Sequence, residues 1–249
     1  MPSGHGRGGY GRAGGLIQAA LNGGRDRSEH RGIPFSAAEL AEAARGAVAA
    51  GAAALHVHPR DESGRESLSP EVIGQALTAI REAVPGVPVG VSTGRWITPG
   101  GRERHREIAA WEVLPDYVSL NLSEEDAPEV AEIARARGLG LEAGVWNVAD
   151  VERLLGMPWR DDVLRVLIEI TEQDPAGAIA MFDAVVERLD ADGIVAPRLS
   201  HGLNAGFWPL VPHIAAAGHG LRVGLEDVLV LPDGRPAPDN AALVRAVRR

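Results

Sequence analysis

The chain alternates short apolar segments with helical segments eight times, and this alternation constrains the fold more than any other feature of the sequence. A strand that is followed each time by a helix is typical of a parallel sheet. Eight such units in 249 residues match a single closed (β/α)8 barrel, the TIM barrel of the α/β class, with an open doubly wound sheet as the alternative. The predicted strands are residues 16–21, 54–58, 87–92, 117–121, 139–144, 163–169, 194–200 and 221–226.

The helical stretches carry recognisable end signals. Residues 36–50 begin with Ser36 as the N-cap, and Glu39 completes a capping box, while residues 239–247 form the last predicted helix. We expect residues 16–249 to form one barrel domain. Residues 1–15 are rich in glycine and arginine and lack the apolar core of a signal peptide, so we expect a flexible extension there. The sequence has no apolar run long enough to span a bilayer, and a cytoplasmic location is the expectation.

Within the predicted strands, polar residues keep one parity and large aliphatic residues keep the other. Most of the polar residues lie toward the carboxyl ends of the strands, which form the catalytic mouth of a barrel. Closure makes the first strand a neighbour of both the second and the eighth, so side chains from these three strands are expected to meet. The polar set comprises Gln18, Asn22, His56, His58, Ser92, Ser119, Asn121, Glu142, Arg222 and Glu226.

Two segments of this set predict a metal site. His56 and His58 lie two residues apart on a predicted strand, so both imidazoles project from one face, which is a start for a zinc-type site that needs one or two further protein ligands. Near the other end of the chain, Arg222, Gly224 and Glu226 are predicted to share a strand face, and Glu226 would complete a two-histidine, one-carboxylate site. The structural alternatives are satisfied core histidines and an ion pair at a strand end.

Two absent residue types narrow the possible chemistry. The chain has no cysteine, which excludes disulfides, thiolate ligands and a cysteine nucleophile. It also has no lysine, since all 25 basic residues are arginine, so Schiff-base mechanisms have no side chain to use. Without a lysine, chemistry beside a carbonyl group would use a metal as the electrophile. The net charge of −9 separately argues against a general binder of nucleic acid or anionic membranes.

Four motifs resemble those of the β-keto acid cleavage enzymes, the family that includes 3-keto-5-aminohexanoate cleavage enzyme. They are His-Val-His-Pro-Arg at 56–60, Val-Ser-Thr-Gly at 91–94, Ser-Leu-Asn at 119–121 and Arg-Val-Gly-Leu-Glu-Asp at 222–227. The first and last form a specific signature, whereas Ser-Thr-Gly alone is weak. The resemblance covers residues 16–247. It implies a zinc-dependent barrel enzyme, usually a homotetramer, that converts a β-keto acid and acetyl-CoA into acetoacetate and a new acyl-CoA.

The resemblance also implies roles for the charged residues of the two outer motifs. His56, His58 and Glu226 would hold the metal, leaving positions for the keto and carboxylate oxygens of the substrate. Asp227 aligns with the family's proposed base, and Arg222 lies beside it to orient charge.

Further mouth residues are expected to contact the substrate. Ser92 and Ser119 match the family's hydroxyl positions, which stabilise negative oxygen, although a serine at a strand end also commonly binds backbone. Asn22, Asn121 and Glu142 are candidates for substrate binding. For Asn121 the alternative is to hold a loop, and for Glu142 it is to orient a ligand histidine.

One departure from the family concerns the substrate's tail. In the member that acts on an amino substrate, a glutamate after the first strand faces the ammonium group, whereas this chain aligns Arg25 there, followed by Asp26. Arginine repels an ammonium group and favours an anionic or neutral tail. We therefore expect 5-amino-3-oxohexanoate to be a poor substrate, unless a one-residue shift places Asp26 in the pocket.

Arginines near the mouth are candidates for binding the phosphates of CoA, with a solvated charged loop as the favoured alternative for residues 94–106. The candidates are Arg60, Arg65, Arg95, Arg102, Arg104 and Arg106. His201, at the end of the seventh predicted strand, belongs to the mouth by position only. Two other functions stay open from the sequence: a metal-dependent hydrolase or class II type aldolase, and a non-catalytic relative that binds a metabolite.

Overall fold

A computed structural model describes residues 15–97 and 100–248 of the protein. Eight parallel strands close into a barrel in chain order, which confirms the predicted (β/α)8 architecture. The strands are β1 (Ile17–Ala20), β2 (Ala54–Val57), β3 (Val89–Ser92), β4 (Tyr117–Asn121), β5 (Gly140–Val145), β6 (Arg165–Ile170), β7 (Arg198–Gly202) and β8 (Gly220–Val223). The helices are α1 (Ala37–Ala50), α2 (Pro70–Ala83), α3 (Arg102–Ala110), α4 (Ala127–Ala136), α5 (Val148–Leu155), α6 (Pro175–Ala191), α7 (Phe207–Ala216) and α8 (Asn240–Val247).

Capping side chains explain where the first and last helices begin. The Ser36 hydroxyl accepts from the Glu39 N–H at 3.2 Å, and the Glu39 carboxylate accepts from the Ser36 N–H at 2.9 Å, which is the predicted capping box. At α8, Asp239 accepts from the Ala242 N–H at 2.7 Å. These caps satisfy N–H groups that have no partner within the helix.

Aliphatic side chains of the strands pack against the helices, as the strand parity predicts. The buried set includes Leu55, Val57, Val89, Val91, Val118, Leu120 and Leu141. Removal of these side chains from water is the main favourable contribution to folding. Among the described helices, none is both long and apolar enough to cross a membrane.

The barrel interior below the mouth is polar. The Gln18 amide donates to Glu142 at 2.8 Å and to the Tyr117 hydroxyl at 2.9 Å, and Arg165 Nε donates to Glu142 at 2.5 Å. The Arg165 guanidinium also lies 4.4 Å from the centre of the Tyr117 ring. Burial alone would raise the pKa of Glu142, but the charge and hydrogen bond of Arg165, together with nearby groups that include Arg222, lower that pKa, so the carboxylate is ionised.

Strand β8 ends at Val223, so the prediction that it extends through residue 226 was wrong. The reason is a tight turn, in which the Gly224 carbonyl accepts from the Asp227 N–H at 2.9 Å and the Val228 N–H at 3.0 Å. Glu226 therefore lies in a turn and not on a strand. Apart from Gly15, the predicted extension of residues 1–15 lies outside the described residues.

The Glu142–Arg165 pair generates a stability prediction. Glu142→Gln removes the carboxylate that pairs with the buried Arg165 cation, which we expect to lower the free energy of unfolding by about 3–5 kcal/mol. Urea unfolding followed by circular dichroism would measure the change. Glu152→Gln, which breaks an exposed pair with Arg188, is the matched control and should have far less effect. Equal losses in the two variants would contradict this account.

Candidate active site

Three ligand atoms converge at the mouth of the barrel. His56 Nε2 and His58 Nε2 lie 3.0 Å apart, and Glu226 Oε1 lies 3.7 Å from the first and 3.3 Å from the second. Tetrahedral zinc sites, with metal–ligand bonds of about 2.0–2.2 Å, separate their ligand atoms by roughly 3.3–3.6 Å. Glu226 Oε2 is also buried without a hydrogen-bond partner among the described residues. The three residues therefore fit a divalent metal with one or more positions left open.

The pKa values of the two histidines are shifted in opposite directions. Burial lowers the pKa of His56 to about 4, so this ring is neutral. Burial opposes protonation of His58 as well, but the carboxylates of Glu226 and Glu66 outweigh it and raise the pKa of His58 to about 9. Burial would raise the pKa of Glu226, yet Arg222 and the histidines hold it well below its usual value. The cluster thus presents an ionised carboxylate to the two imidazoles.

Asn22 fixes the backbone that carries His58. Its side-chain oxygen accepts from the His58 N–H at 2.9 Å, and its amide nitrogen donates to the His58 carbonyl at 2.8 Å and the Pro34 carbonyl at 3.2 Å. The amide is fully buried, and these three bonds use both of its donors. The structure therefore places Asn22 behind a ligand histidine, and substrate contact by Asn22 stays a prediction.

Two glycines make room for Glu226. Gly23 has a φ of +57°, and a Cβ at this position would lie 2.4 Å from Glu226 Cγ. A Cβ on Gly224 would lie 1.8 Å from the Ala20 carbonyl oxygen, so only glycine lets the turn after β8 approach β1 this closely. Arg25 supports the same turn, because its Nε donates to the Glu226 carbonyl at 2.9 Å.

Asp227 and Arg222 form a buried pair beside the metal cluster. Arg222 donates to Asp227 Oδ1 from Nε at 3.2 Å and from its terminal nitrogen at 2.9 Å, and it donates to Glu226 Oε1 at 2.5 Å. Burial would raise the pKa of Asp227, but Arg222 and His201 lower it, so the carboxylate is ionised. Arg222 therefore connects the predicted base to the predicted metal ligand.

The predicted hydroxyl residues lie on neighbouring strands in matching register. Ser92 Oγ accepts from the Gly94 N–H at 3.3 Å, and among the described residues no acceptor takes its own proton. Ser119 Oγ donates to Glu142 Oε1 at 2.9 Å. The Ser92 hydroxyl is thus able to donate to a developing negative oxygen, whereas the Ser119 hydroxyl already donates to Glu142.

The other predicted substrate contacts have structural partners. Glu142 bonds to Gln18, Ser119 and Arg165, and among the described residues it has no hydrogen bond to either ligand histidine. Asn121 donates to Glu124 at 3.1 Å and holds the loop after β4. Arg25 pairs with Glu29 at 2.9 Å and also bonds to the Asn204 side chain.

Among the arginines that are candidates for binding CoA, some already have structural partners and others are exposed. Arg104 is fully buried and pairs with Glu124 at 2.5 Å and Asp126 at 2.9 Å. Arg60 donates to the carbonyls of Gly23, Arg25 and Gly64 and lies over the Phe35 ring. The exposed candidates are Arg65, Arg95, Arg102 and Arg106.

Glu66 and Trp96 also belong to the site, although neither was among the residues predicted from the sequence. Glu66 bonds to His58 Nδ1, which directs the other ring nitrogen, Nε2, toward Glu226. The Trp96 indole donates to Glu66 at 3.1 Å, and its ring lies nearly parallel to His58, with an interplanar angle of 20°. A sequence signal existed: the turn-forming residues 61–65 return the chain so that Glu66 pairs with Arg60, next to His58.

Gly23 offers a direct test of how the cluster is built. We expect Gly23→Ala to weaken zinc binding by about 10–100-fold, because the new methyl group displaces the Glu226 side chain. Competition with a chromophoric chelator would measure the affinity. Gly193→Ala is the matched control, since Gly193 also has a positive φ, of +67°, but has open space around its Cβ position. Equal weakening in both variants would show that backbone strain alone is responsible.

Glu66 allows a second test of the site. We expect Glu66→Gln to weaken zinc binding by about 10–100-fold, because an amide supports the His58 ring less well than a carboxylate does. Isothermal titration with zinc would measure this affinity. Glu62→Gln, in the same turn but exposed, serves as the control and should leave the affinity unchanged. An unchanged affinity in Glu66→Gln would remove Glu66 from the site.

Comparison with known proteins places the chain among named relatives. It is 35% identical to the 3-keto-5-aminohexanoate cleavage enzyme of Fusobacterium nucleatum over 255 residues, covering 94% of this chain and 90% of that protein. It is 26% identical to the 3-oxoadipate:acetyl-CoA acetyltransferase of Cupriavidus necator over 254 residues, covering 93% and 86%. Both alignments extend over nearly the whole barrel.

Solved structures agree on the fold. The structure of ObcA superimposes with a TM-score of 0.72 at 20% identity, covering 87% of this chain, which spans 61% of the length of ObcA. A type I 3-dehydroquinate dehydratase from Clostridium difficile gives 0.63 at 12% identity, covering 91% and 89%. The profile of the beta-keto acid cleavage enzyme family matches residues 15–249. The chain belongs to the β-keto acid cleavage enzyme family.

Proposed function

We propose that the protein is an acyltransferase that converts a β-keto acid and acetyl-CoA into acetoacetate and a new acyl-CoA. The observation that carries this proposal is the convergence of His56, His58 and Glu226 beside the Arg222–Asp227 pair, in a chain that belongs to this family. A divalent metal, for which we propose zinc, would supply Lewis-acid polarisation of the substrate's keto group. CoA chemistry is also supported by one structure of ObcA, which is described as a complex with a C4-CoA adduct and oxalate.

The first step we propose is proton removal from C2, the carbon between the two carbonyl groups of the substrate. Asp227 accepts this proton, and the electron pair of the C–H bond moves into the enolate. Arg222 holds the carboxylate of Asp227 in place through two hydrogen bonds. Ser92 has a hydroxyl proton available for the negative oxygen that forms when C2 attacks the acetyl thioester.

The later steps return the proton and exchange the acyl group. Attack on the thioester forms a C–C bond and releases the CoA thiolate. The thiolate then attacks the original keto carbon, and the bond from that carbon to C2 breaks, which gives the new acyl-CoA. The carbanion that remains takes its proton back from Asp227 and becomes acetoacetate. Asp227 is thus regenerated as a carboxylate, and no oxidant or reductant is consumed.

The charge of Arg25, at the rim near β1, is the basis of the expected substrate choice. The Arg25 guanidinium is a cation at this rim, and it pairs with Glu29. We infer that an ammonium tail is disfavoured there and that a neutral or anionic tail is accepted. The cytoplasmic location and the extension of residues 1–15 remain predictions from the sequence, and the homotetramer remains an expectation from the family resemblance.

An assay with purified protein tests the reaction class. We expect acetoacetate to form from acetyl-CoA and a β-keto acid only when zinc is supplied to the chelator-treated protein. His56→Ala should abolish turnover together with metal binding, whereas His213→Ala, at an exposed position on α7, should leave both unchanged. Asp227→Asn should lower kcat by about 10²–10⁴-fold and still bind zinc.

The same assay with a panel of acids tests substrate choice. We expect 3-oxohexanoate and 3-oxoadipate to exceed 5-amino-3-oxohexanoate in kcat/KM. The reverse order would contradict the role of Arg25 at the rim. Turnover that is independent of CoA would favour a hydrolase or aldolase, and zinc binding without any turnover would favour a metabolite-binding protein.

A further inference from the structure

His201 and Glu169 form a charged group beside Asp227 to which the mechanism above gives no part. His201 Nδ1 lies 3.2 Å from Asp227 Oδ1, and His201 Nε2 lies 3.1 Å from Glu169 Oε2. Arg222 closes the ring of charges, at 2.9 Å from Asp227 and 3.9 Å from Glu169. The side chains of His201 and Asp227 are fully buried, and that of Glu169 is 15% exposed.

The contacts to Asp227 are asymmetric. Two nitrogens of Arg222 and one of His201 all face Oδ1, whereas Oδ2 is buried without a hydrogen-bond partner among the described residues. A buried carboxylate oxygen without a partner is costly, and such an atom in a native site calls for a functional explanation. Oδ2 is therefore the oxygen of Asp227 whose lone pairs no described residue occupies.

The segment after β7 also holds the backbone of Asp227. The Asn204 N–H donates to the Asp227 carbonyl at 2.8 Å. Asn204 has a φ of +50°, which asparagine tolerates better than most residues, and it is the only non-glycine with a positive φ among residues 15–97 and 100–248. Strand β7 and the loop that follows it thus contact both the side chain and the main chain of Asp227.

The His201 ring is restrained by charge at both nitrogens. Burial and the nearby Arg222 oppose its protonation, but Asp227 and Glu169 outweigh them and raise the pKa of His201 to about 9. The ring does not make well-aligned hydrogen bonds to either carboxylate, so ion-pair contacts hold it between them.

We propose that His201 and Glu169 are positioning residues that hold Asp227 with Oδ1 toward Arg222 and His201, which leaves Oδ2 to remove the proton from C2 of the β-keto acid. This assignment rests on the proposed function. Glu169 fixes the orientation of the His201 ring, and His201 fixes one rotamer of Asp227. In the step itself the C2–H bond breaks, the proton moves to Oδ2, and the electron pair forms the enolate.

Two substitutions of His201 separate positioning from packing. The amide nitrogen of His201→Asn can occupy the place of Nδ1 and keep the contact with Asp227. In His201→Gln the amide reaches instead toward the place of Nε2 and Glu169, so the contact with Asp227 is lost. Glu169→Gln removes the charge that orients the ring and leaves His201 in place. His213→Asn and Glu187→Gln, at exposed positions, are the matched controls.

The first measurement is deuterium exchange at C2 of 3-oxohexanoate in D2O, followed by NMR with zinc-loaded protein and without acetyl-CoA, above the rate without protein. This partial reaction reports proton removal alone. We expect His201→Gln and Glu169→Gln to lower the exchange rate and kcat by about 10–100-fold. His201→Asn should retain more activity than His201→Gln. Zinc content, KM and Tm should stay close to those of the unsubstituted protein.

Several outcomes would overturn the assignment. Exchange and kcat that are unchanged in His201→Gln and Glu169→Gln would do so, as would equal losses in His201→Asn and His201→Gln. Losses that parallel zinc content or Tm would show a structural role only. If His201→Gln does not fold, Glu169→Gln decides the question on the same readouts. Absence of both exchange and turnover in the unsubstituted protein would instead overturn the proposed function, and the assignment with it.

Discussion

Closure of the barrel between β1 and β8 is the constraint on which the site depends. The register pairs Gln18 with Arg222 on one side of β1 and Ala20 with His56 on the other. The two ligand histidines and Glu226, which are far apart in the chain, therefore meet because β1 lies between β2 and β8. Because these contacts are long-range, the ligand cluster cannot form in a partly folded chain that lacks the last strand. The site is therefore complete only when β8 is paired with β1.

Buried charge is the second constraint. Arg222 faces three carboxylates, those of Glu169, Glu226 and Asp227, and removal of such groups from water carries a desolvation cost that only close, well-placed partners offset. The arrangement keeps the carboxylates ionised next to imidazoles in a region with little water. Apolar side chains of similar volume would fill this space without that cost. The retention of charge here is therefore understandable as a requirement of the chemistry.

Much of the fold and part of the site could be predicted from the sequence. The strand and helix alternation specified the barrel, and the spacing of His56 and His58 placed two imidazoles on one face, because both signals are local. The same pattern predicted β8 through residue 226 and was wrong from Gly224 onward, because the Gly224 carbonyl accepts hydrogen bonds from two N–H groups of a turn. Position alone placed His201 at the mouth, but the contacts of His201 and Glu66 depend on loop paths and on contacts between strands, which no periodicity encodes. Asn22 was expected near the histidines, but its bonds to the His58 backbone could not be foreseen.

Trp96 gives this site an intrinsic optical property. Its indole is 55% exposed, lies nearly parallel to the His58 imidazole and donates to the carboxylate that holds that imidazole. The emission of an indole responds to charge and polarity in its immediate surroundings. A change of charge on His58 or at its ligand nitrogen therefore occurs within the range that Trp96 senses. Because the chain has five tryptophans, the contribution of Trp96 is the difference in emission between the unsubstituted protein and Trp96→Phe.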